Sequence, residues 1–134
     1  MNRLFQLITF LAFVPFYLNN LNAQNNILSA RDTSVGSIIT VTGISLNSED
    51  DINGVIIYIQ DSTAGIAIYD PSMITSENIV RGQKITVTGE LVDYNNLLEI
   101  SNVTSYSIDT GTYPLPTPQL ITPSELGDLS LIHI

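Results

Sequence analysis

The sequence of 134 residues contains no cysteine, no tryptophan, 1 histidine and 4 basic residues. Without cysteine the chain has no disulfide bonds, no thiol nucleophile and no thiolate zinc site. The lone histidine, His133, leaves no histidine pair for acid–base chemistry or metal binding. No pair of carboxylates stands out as the acid and base of a glycoside hydrolase. The sequence therefore predicts a protein that is not an enzyme and uses no cofactor.

The N-terminus, residues 1–23, has the pattern of a secretory signal peptide. Arg3 precedes an apolar run over residues 4–18, and Ala23 is the small residue expected at the cleavage site. A transmembrane anchor is the alternative, but the run is shorter than the roughly 20 residues of a spanning helix and a proline interrupts it. We therefore expect a secreted protein that begins near Gln24, located extracellularly, on the cell surface or in the periplasm, with no stable membrane insertion.

The cleaved chain would be strongly acidic. Loss of Arg3 leaves 3 basic residues against 13 acidic ones, a net charge of −10. Nonspecific nucleic-acid binding depends on Lys and Arg that displace counterions from phosphates. The charge therefore argues against a tight grip on DNA or RNA, and it disfavours an anionic membrane surface for the same reason.

A repeat is the most informative pattern in the chain. Residues 35–43 return 46 positions later as residues 81–89, and each copy ends in Ile-Thr-Val-Thr-Gly. Apolar residues alternate with threonines, so each copy is predicted to be a strand with one buried face. Gly43 and Gly89 indicate a bulge or a close backbone approach, which bends a strand at the corner of a barrel.

Three further strands surround the repeat. Residues 55–69 form two apolar runs around a short polar turn, as in a β-hairpin. Past the second copy, a tight turn at residues 93–96 leads to a fifth strand from residue 97, continued or paired by residues 103–108. Residues 34–108 are therefore predicted to form one all-β, five-stranded barrel.

The segments outside these strands have their own predictions. Residues 24–33 form an N-terminal lead-in with a short helix over residues 27–31, and residues 109–123 form a proline-rich linker. The polarity pattern of residues 130–134 resembles the first strand, so residues 124–134 are expected to begin a second, truncated module. Between the hairpin and the second copy, a short helix or irregular plug is expected to close one barrel end with Met73, Ile74, Ile79 and Val80.

Several motifs are more specific than the order of strands. They are Val-Thr-Gly at 41–43 and 87–89, Tyr-Ile-Gln-Asp at 58–61, Ala-Gly-Ile-Ala-Ile-Tyr at 64–69, and Leu-Val-Asp-Tyr-Asn-Asn-Leu-Leu-Glu-Ile at 91–100. With these motifs the chain resembles the OB-fold domains of secreted bacterial nucleases and multi-module cell-surface proteins. The resemblance implies an OB-fold-like Greek-key barrel, and because the motifs are mainly structural it leaves the ligand open.

OB folds bind oligonucleotides or oligosaccharides on the outer face of strands two and three and on nearby loops. Tyrosine rings there can stack on bases or sugars, and amides can hydrogen-bond base edges or hydroxyls. The same residues also fit a purely structural interpretation, as cross-strand partners and turn residues. The candidate ligand-binding residues are Tyr58, Gln60 and Tyr69 on the face, with Tyr94, Asn95 and Asn96 in the loop joining strands four and five.

Glu49, Asp50 and Asp51 lie in the loop joining strands one and two, where a phosphate-binding protein would prefer Lys or Arg. With Asn53 they form a weak Ca²⁺ candidate, since calcium takes oxygen ligands. The spacing matches no calcium loop, and a solvated acidic turn is the favoured interpretation.

These observations predict a non-catalytic binding module of a secreted or cell-surface bacterial protein, joined to downstream domains of the same protein. Its ligand would be single-stranded nucleic acid beside a nuclease, or an oligosaccharide, bound weakly. The alternative is a structural spacer with no ligand, which suits the acidic surface and the proline-rich exit.

Overall fold

The computed structural model describes residues 25–51 and 55–118. The predicted signal peptide, the second module, Asn53 and the end of the linker lie outside these residues. No helix within the described ranges is long and apolar enough to span a bilayer. Two short helices, one 3-10 turn and five strands follow in the order α1 Ile27–Arg31, β1 Ile38–Ser45, the turn Glu49–Asp51, β2 Ile56–Gln60, β3 Gly65–Tyr69, α2 Pro71–Glu77, β4 Lys84–Tyr94 and β5 Leu97–Asp109.

The five strands close into one barrel in the order β1-β2-β3-β5-β4, with β4 returning to β1. All neighbours are antiparallel except β3 and β5, which run parallel. The parallel pair arises because α2 and β4 separate β3 from β5 along the chain. The prediction of an all-β, five-stranded, OB-like barrel is confirmed.

The two copies of the repeat pair with each other. Val41 lies opposite Val87, the equivalent residue of the second copy, so β1 and β4 meet about a local two-fold axis. The valines face the core, and the threonines beside them form two hydroxyl pairs on the outer surface. These pairs are Thr40–Thr88 at 2.8 Å and Thr42–Thr86 at 2.5 Å.

The glycines that end the two copies allow close backbone approaches. A Cβ on Gly43 would lie 3.0 Å from the backbone nitrogen of Gln60. A Cβ on Gly89 would lie 2.7 Å from the carbonyl oxygen of Ser101, where the β4–β5 register also shifts. Both strands can therefore bend against a neighbour, as the sequence predicts.

The core consists almost entirely of aliphatic side chains from all five strands and both helices. Ile27 and Ala30 of α1 are fully buried, so the predicted lead-in packs with the barrel. In the segment expected to close one end, Met73, Ile74 and Ile79 are buried, whereas Val80 is exposed. The expectation for Val80 is wrong because Val80 lies in an exposed turn, in which the Gln83 amide donates to its carbonyl at 3.3 Å.

The C-terminal part of the barrel differs from a simple hairpin. β5 is one continuous strand of 13 residues that passes an irregularity at Asn102, where φ is 49°. After β5, residues 112–118 have no regular structure, and Tyr113 contacts the barrel. The amide of Tyr113 donates to the carbonyl of Gly82 at 2.8 Å, and the Lys84 ammonium lies 4.0 Å from the centre of the Tyr113 ring.

Candidate functional site

The outer face of β2, β3 and β5 contains a groove of about 260 Å³. The alternation of side chains along the strands places residues in this groove. Ile57 and Ile68 point into the core. Their neighbours Ile56 and Tyr69 therefore point outward, directly opposite each other. The β4–β5 turn adds the remaining wall. We call this the tyrosine groove, and it is lined by Ile56, Tyr69, Tyr94, Leu97 and Glu99.

Glu99 is a buried carboxylate on this outer face. It lies beside Ala67 of the parallel neighbour β3 and is only 5% exposed. The Ser101 hydroxyl donates to Glu99 Oε1 at 3.0 Å. A glutamate at an outward strand position is ordinarily exposed, so its burial could not be predicted from the local pattern, because it depends on the β3–β5 pairing.

A second depression of about 330 Å³ adjoins the tyrosine groove and shares Tyr69 and Glu99 with it. Its other wall is polar, formed by Asp70, Pro71, Ser101 and Asn102. Asp70 Oδ1 accepts from the Met73 amide at 2.9 Å and caps α2, which fixes this carboxylate at the rim. We call this second site the acidic depression.

The structure brings together some of the predicted site residues. Tyr69 and Tyr94, which are 43% and 63% exposed, line the same groove. Tyr58 lies two residue pairs further along the same face, opposite Ala67, and does not line the groove.

The remaining predicted residues lie apart from the groove. Gln60 is at the far end of β2, and its buried Oε1 has no hydrogen-bond partner among the described residues. Asn95 and Asn96 form the exposed β4–β5 turn with φ values of 53° and 69°. The Asn96 amide donates to Asp93 Oδ1 at 2.8 Å, which is ordinary turn chemistry. The sequence missed Ile56, Leu97 and Glu99 of the groove.

The acidic turn Glu49–Asp51 shows no metal-binding arrangement. Asp51 Oδ2 accepts from the Ser48 amide at 2.7 Å, as in a short helical turn. Within residues 25–51 and 55–118, no group of three or more His, Cys, Asp or Glu side chains could hold a metal ion. The calcium interpretation gains no support from these contacts.

Basic side chains are absent from the lining of both depressions in the described part of the chain. Arg31 donates to the carbonyl of Gly65 at 2.8 Å. Burial lowers the pKa of Arg31, and the charge of Asp32 partly opposes this. Lys84 packs over Tyr113, at the end of β4 remote from Tyr94. The site is thus apolar and aromatic on one side and acidic on the other.

The barrel and its outer groove define a protein of OB-like fold. One similar solved structure is that of the hypothetical protein YgiW of E. coli, with a TM-score of 0.53 and 16% sequence identity. The similarity covers 65% of this chain and 90% of that chain. At this identity the likeness shows the fold alone. No protein-family model and no curated protein matches the chain.

Proposed function

We propose that the chain is a non-catalytic binding module of a secreted or cell-surface protein and that the tyrosine groove holds its ligand. The observation that carries the proposal is the pairing of two exposed tyrosines, Tyr69 and Tyr94, across an apolar floor on the OB-like face. Grooves lined by apolar and aromatic side chains with few polar groups are typical ligand sites.

Exposure of the two rings supports binding. Each ring leaves much of its apolar surface in water, and contact with a flat or apolar ligand would remove it. A ring that stacks on an aromatic side chain gains about 1–3 kcal/mol in single-stranded nucleic-acid complexes. Contact with two such rings would contribute favourably to the free energy of binding and offset part of the cost of association.

Charge decides between the ligand classes expected for this fold. Glu99 and Asp70 line the two depressions, so a phosphate backbone along this face would be repelled. A ligand without phosphate, such as an oligosaccharide, meets no such repulsion. A nucleic-acid accessory role beside a nuclease therefore ranks below it, and the spacer alternative treats the exposed tyrosines as structural cross-strand partners.

The test compares Tyr94→Ala with Tyr106→Ala. Both remove an exposed tyrosine, but Tyr106 lies outside the groove. We expect binding in a glycan array that is lost with Tyr94→Ala and retained with Tyr106→Ala. Binding of labelled single-stranded DNA at low salt, lost with the same variant, would favour the nucleic-acid role. No binding in either assay up to high micromolar concentration would favour the spacer.

Export is a separate part of the proposal. The apolar run at residues 4–18 supports cleavage near Gln24 and a location outside the cytoplasm. Downstream domains of the same protein would supply any catalysis. N-terminal sequencing of the protein recovered after export is expected to begin at or near Gln24, and an intact Met1 on the exported protein would contradict cleavage.

A further inference from the structure

Glu99 is the least ordinary group in the tyrosine groove. A carboxylate that loses part of its hydration is stabilised by hydrogen-bond donors or by a nearby cation. Glu99 lines the groove although it is only 5% exposed, and the described structure shows one donor to it, the Ser101 hydroxyl. Its environment therefore suits a ligand that brings a donor or a positive charge.

The protein's own basic side chains do not fill this role in the described residues. The described residues include three basic side chains, Arg31, Arg81 and Lys84, and none of them lines the groove or the acidic depression. The other charged group at the acidic depression is the Asp70 carboxylate. The site is thus negative on both sides of Tyr69.

The rest of the groove fits the organic part of a cation. Tyrosine rings attract cations through their negative faces. Ile56 and Leu97 supply an apolar wall for methyl or methylene groups. The volume of about 260 Å³ is sufficient for a small alkylammonium group.

We propose that the tyrosine groove binds an organic cation of the alkylammonium class, with its charge beside Glu99 and its alkyl groups between Tyr69 and Tyr94. This inference rests on the proposed binding function and names the chemical class of its ligand. The strongly acidic chain assists it, because a net charge of −9 attracts cations over distance at low ionic strength.

The test uses two probes of the same shape. Choline carries a quaternary nitrogen, and 3,3-dimethyl-1-butanol carries a neutral carbon in its place. Each probe is titrated into the purified protein, and binding is monitored by calorimetry and by the NMR shifts of Tyr94 and Leu97. We expect choline to bind at least about tenfold more tightly than the neutral alcohol.

Two carboxylate variants identify the responsible charge. Glu99→Gln is expected to lower the preference for choline several-fold and leave the part that the tyrosine rings supply, and it should fold because the amide oxygen still accepts from Ser101. Asp50→Asn removes one charge from an exposed turn residue that does not line the groove, so the preference should persist. Circular dichroism of both variants checks that the barrel is intact.

The outcomes separate this inference from the binding function. Equal binding of both probes, lowered by Tyr94→Ala but unchanged by Glu99→Gln, would overturn the cation assignment and leave the groove as a binding site. If choline fails to bind but a glycan or DNA binds in a way that depends on Tyr94, the cation assignment is again overturned and the groove remains a binding site. Failure of every probe, glycan and DNA would overturn both.

Discussion

Asn47 shows how one side chain can replace a missing stretch of strand. β1 pairs with β2 only at Ile44 and Ser45 and then ends. Beyond this point Asn47 Nδ2 donates to the carbonyl of Ile56 at 3.0 Å, and its Oδ1 accepts from the Tyr58 amide at 2.8 Å. The buried amide thus continues the ladder along β2 and fixes the strand that carries one wall of the groove.

Replacing Asn47 by alanine should therefore destabilise the barrel. Asn47→Ala leaves a backbone donor and acceptor of β2 without partners, and we expect a loss of about 1–3 kcal/mol in the free energy of unfolding. Urea denaturation monitored by circular dichroism measures this loss. Asn96→Gly is the control, since Asn96 is exposed with positive φ and glycine accepts that conformation. Equal stability of the two variants would refute the role assigned to Asn47.

The two repeat glycines should differ in their tolerance of a methyl group. The Cβ of Gly89→Ala would lie 2.7 Å from the fixed carbonyl of Ser101, against 3.0 Å for the nearest atoms at Gly43. Overpacking of this kind typically costs about 1–3 kcal/mol. We expect both variants to lower the thermal midpoint, with Gly89→Ala lowering it more. The reverse order would show that β4 can move from β5 more easily than β1 from β2.

At the scale of elements, Asp61 joins α1 to the β2–β3 turn. Its Oδ2 accepts from the Ile27 amide at 2.8 Å, and its Oδ1 accepts from the amides of Thr63 and Ala64 at 2.6 and 3.0 Å. Burial tends to raise the pKa of Asp61, but the hydrogen bonds from Thr63, Ile27 and Ala64 together lower it below its ordinary value. Asp61 therefore stabilises the folded state in its ionised form.

Because the pKa of Asp61 is lowered on folding, the stability that Asp61 contributes depends on pH. With a pKa lowered on folding, the stabilisation is fully present above the unfolded value of about 3.9 and is lost as the pH falls through the lower folded value. Asp61→Asn should thus be less stable than the original chain at pH 6, and the difference should shrink as the pH approaches 2. Hydrogen exchange at Ile27 should quicken in the variant. A stability difference independent of pH would contradict this assignment.

At the scale of the whole molecule, the sequence predicts the strands better than their partners. Period-two alternation and the repeat locate β1 and β4, because each strand buries one face whatever lies beside it. The burial of Glu99 depends on the parallel pairing of β3 with β5, although 27 residues, 70–96, lie between these two strands along the chain. The bridging role of Asn47 depends in the same way on where β1 leaves β2, so neither could be predicted from local pattern.

The charge of the whole molecule makes a final prediction. The described residues include 3 basic and 11 acidic side chains, an excess of 8 negative charges on one barrel. Such an excess destabilises the compact state through self-repulsion. The screening length falls from about 30 Å at 10 mM salt to about 8 Å at 150 mM. We therefore expect the thermal midpoint to rise with NaCl over this range.

Asp50→Lys, in an exposed turn, should raise the midpoint at 10 mM and reduce its dependence on salt. A midpoint that falls with NaCl would instead mean that attractive contacts such as Lys84 with Asp109 outweigh the repulsion, since screening weakens attraction and repulsion alike.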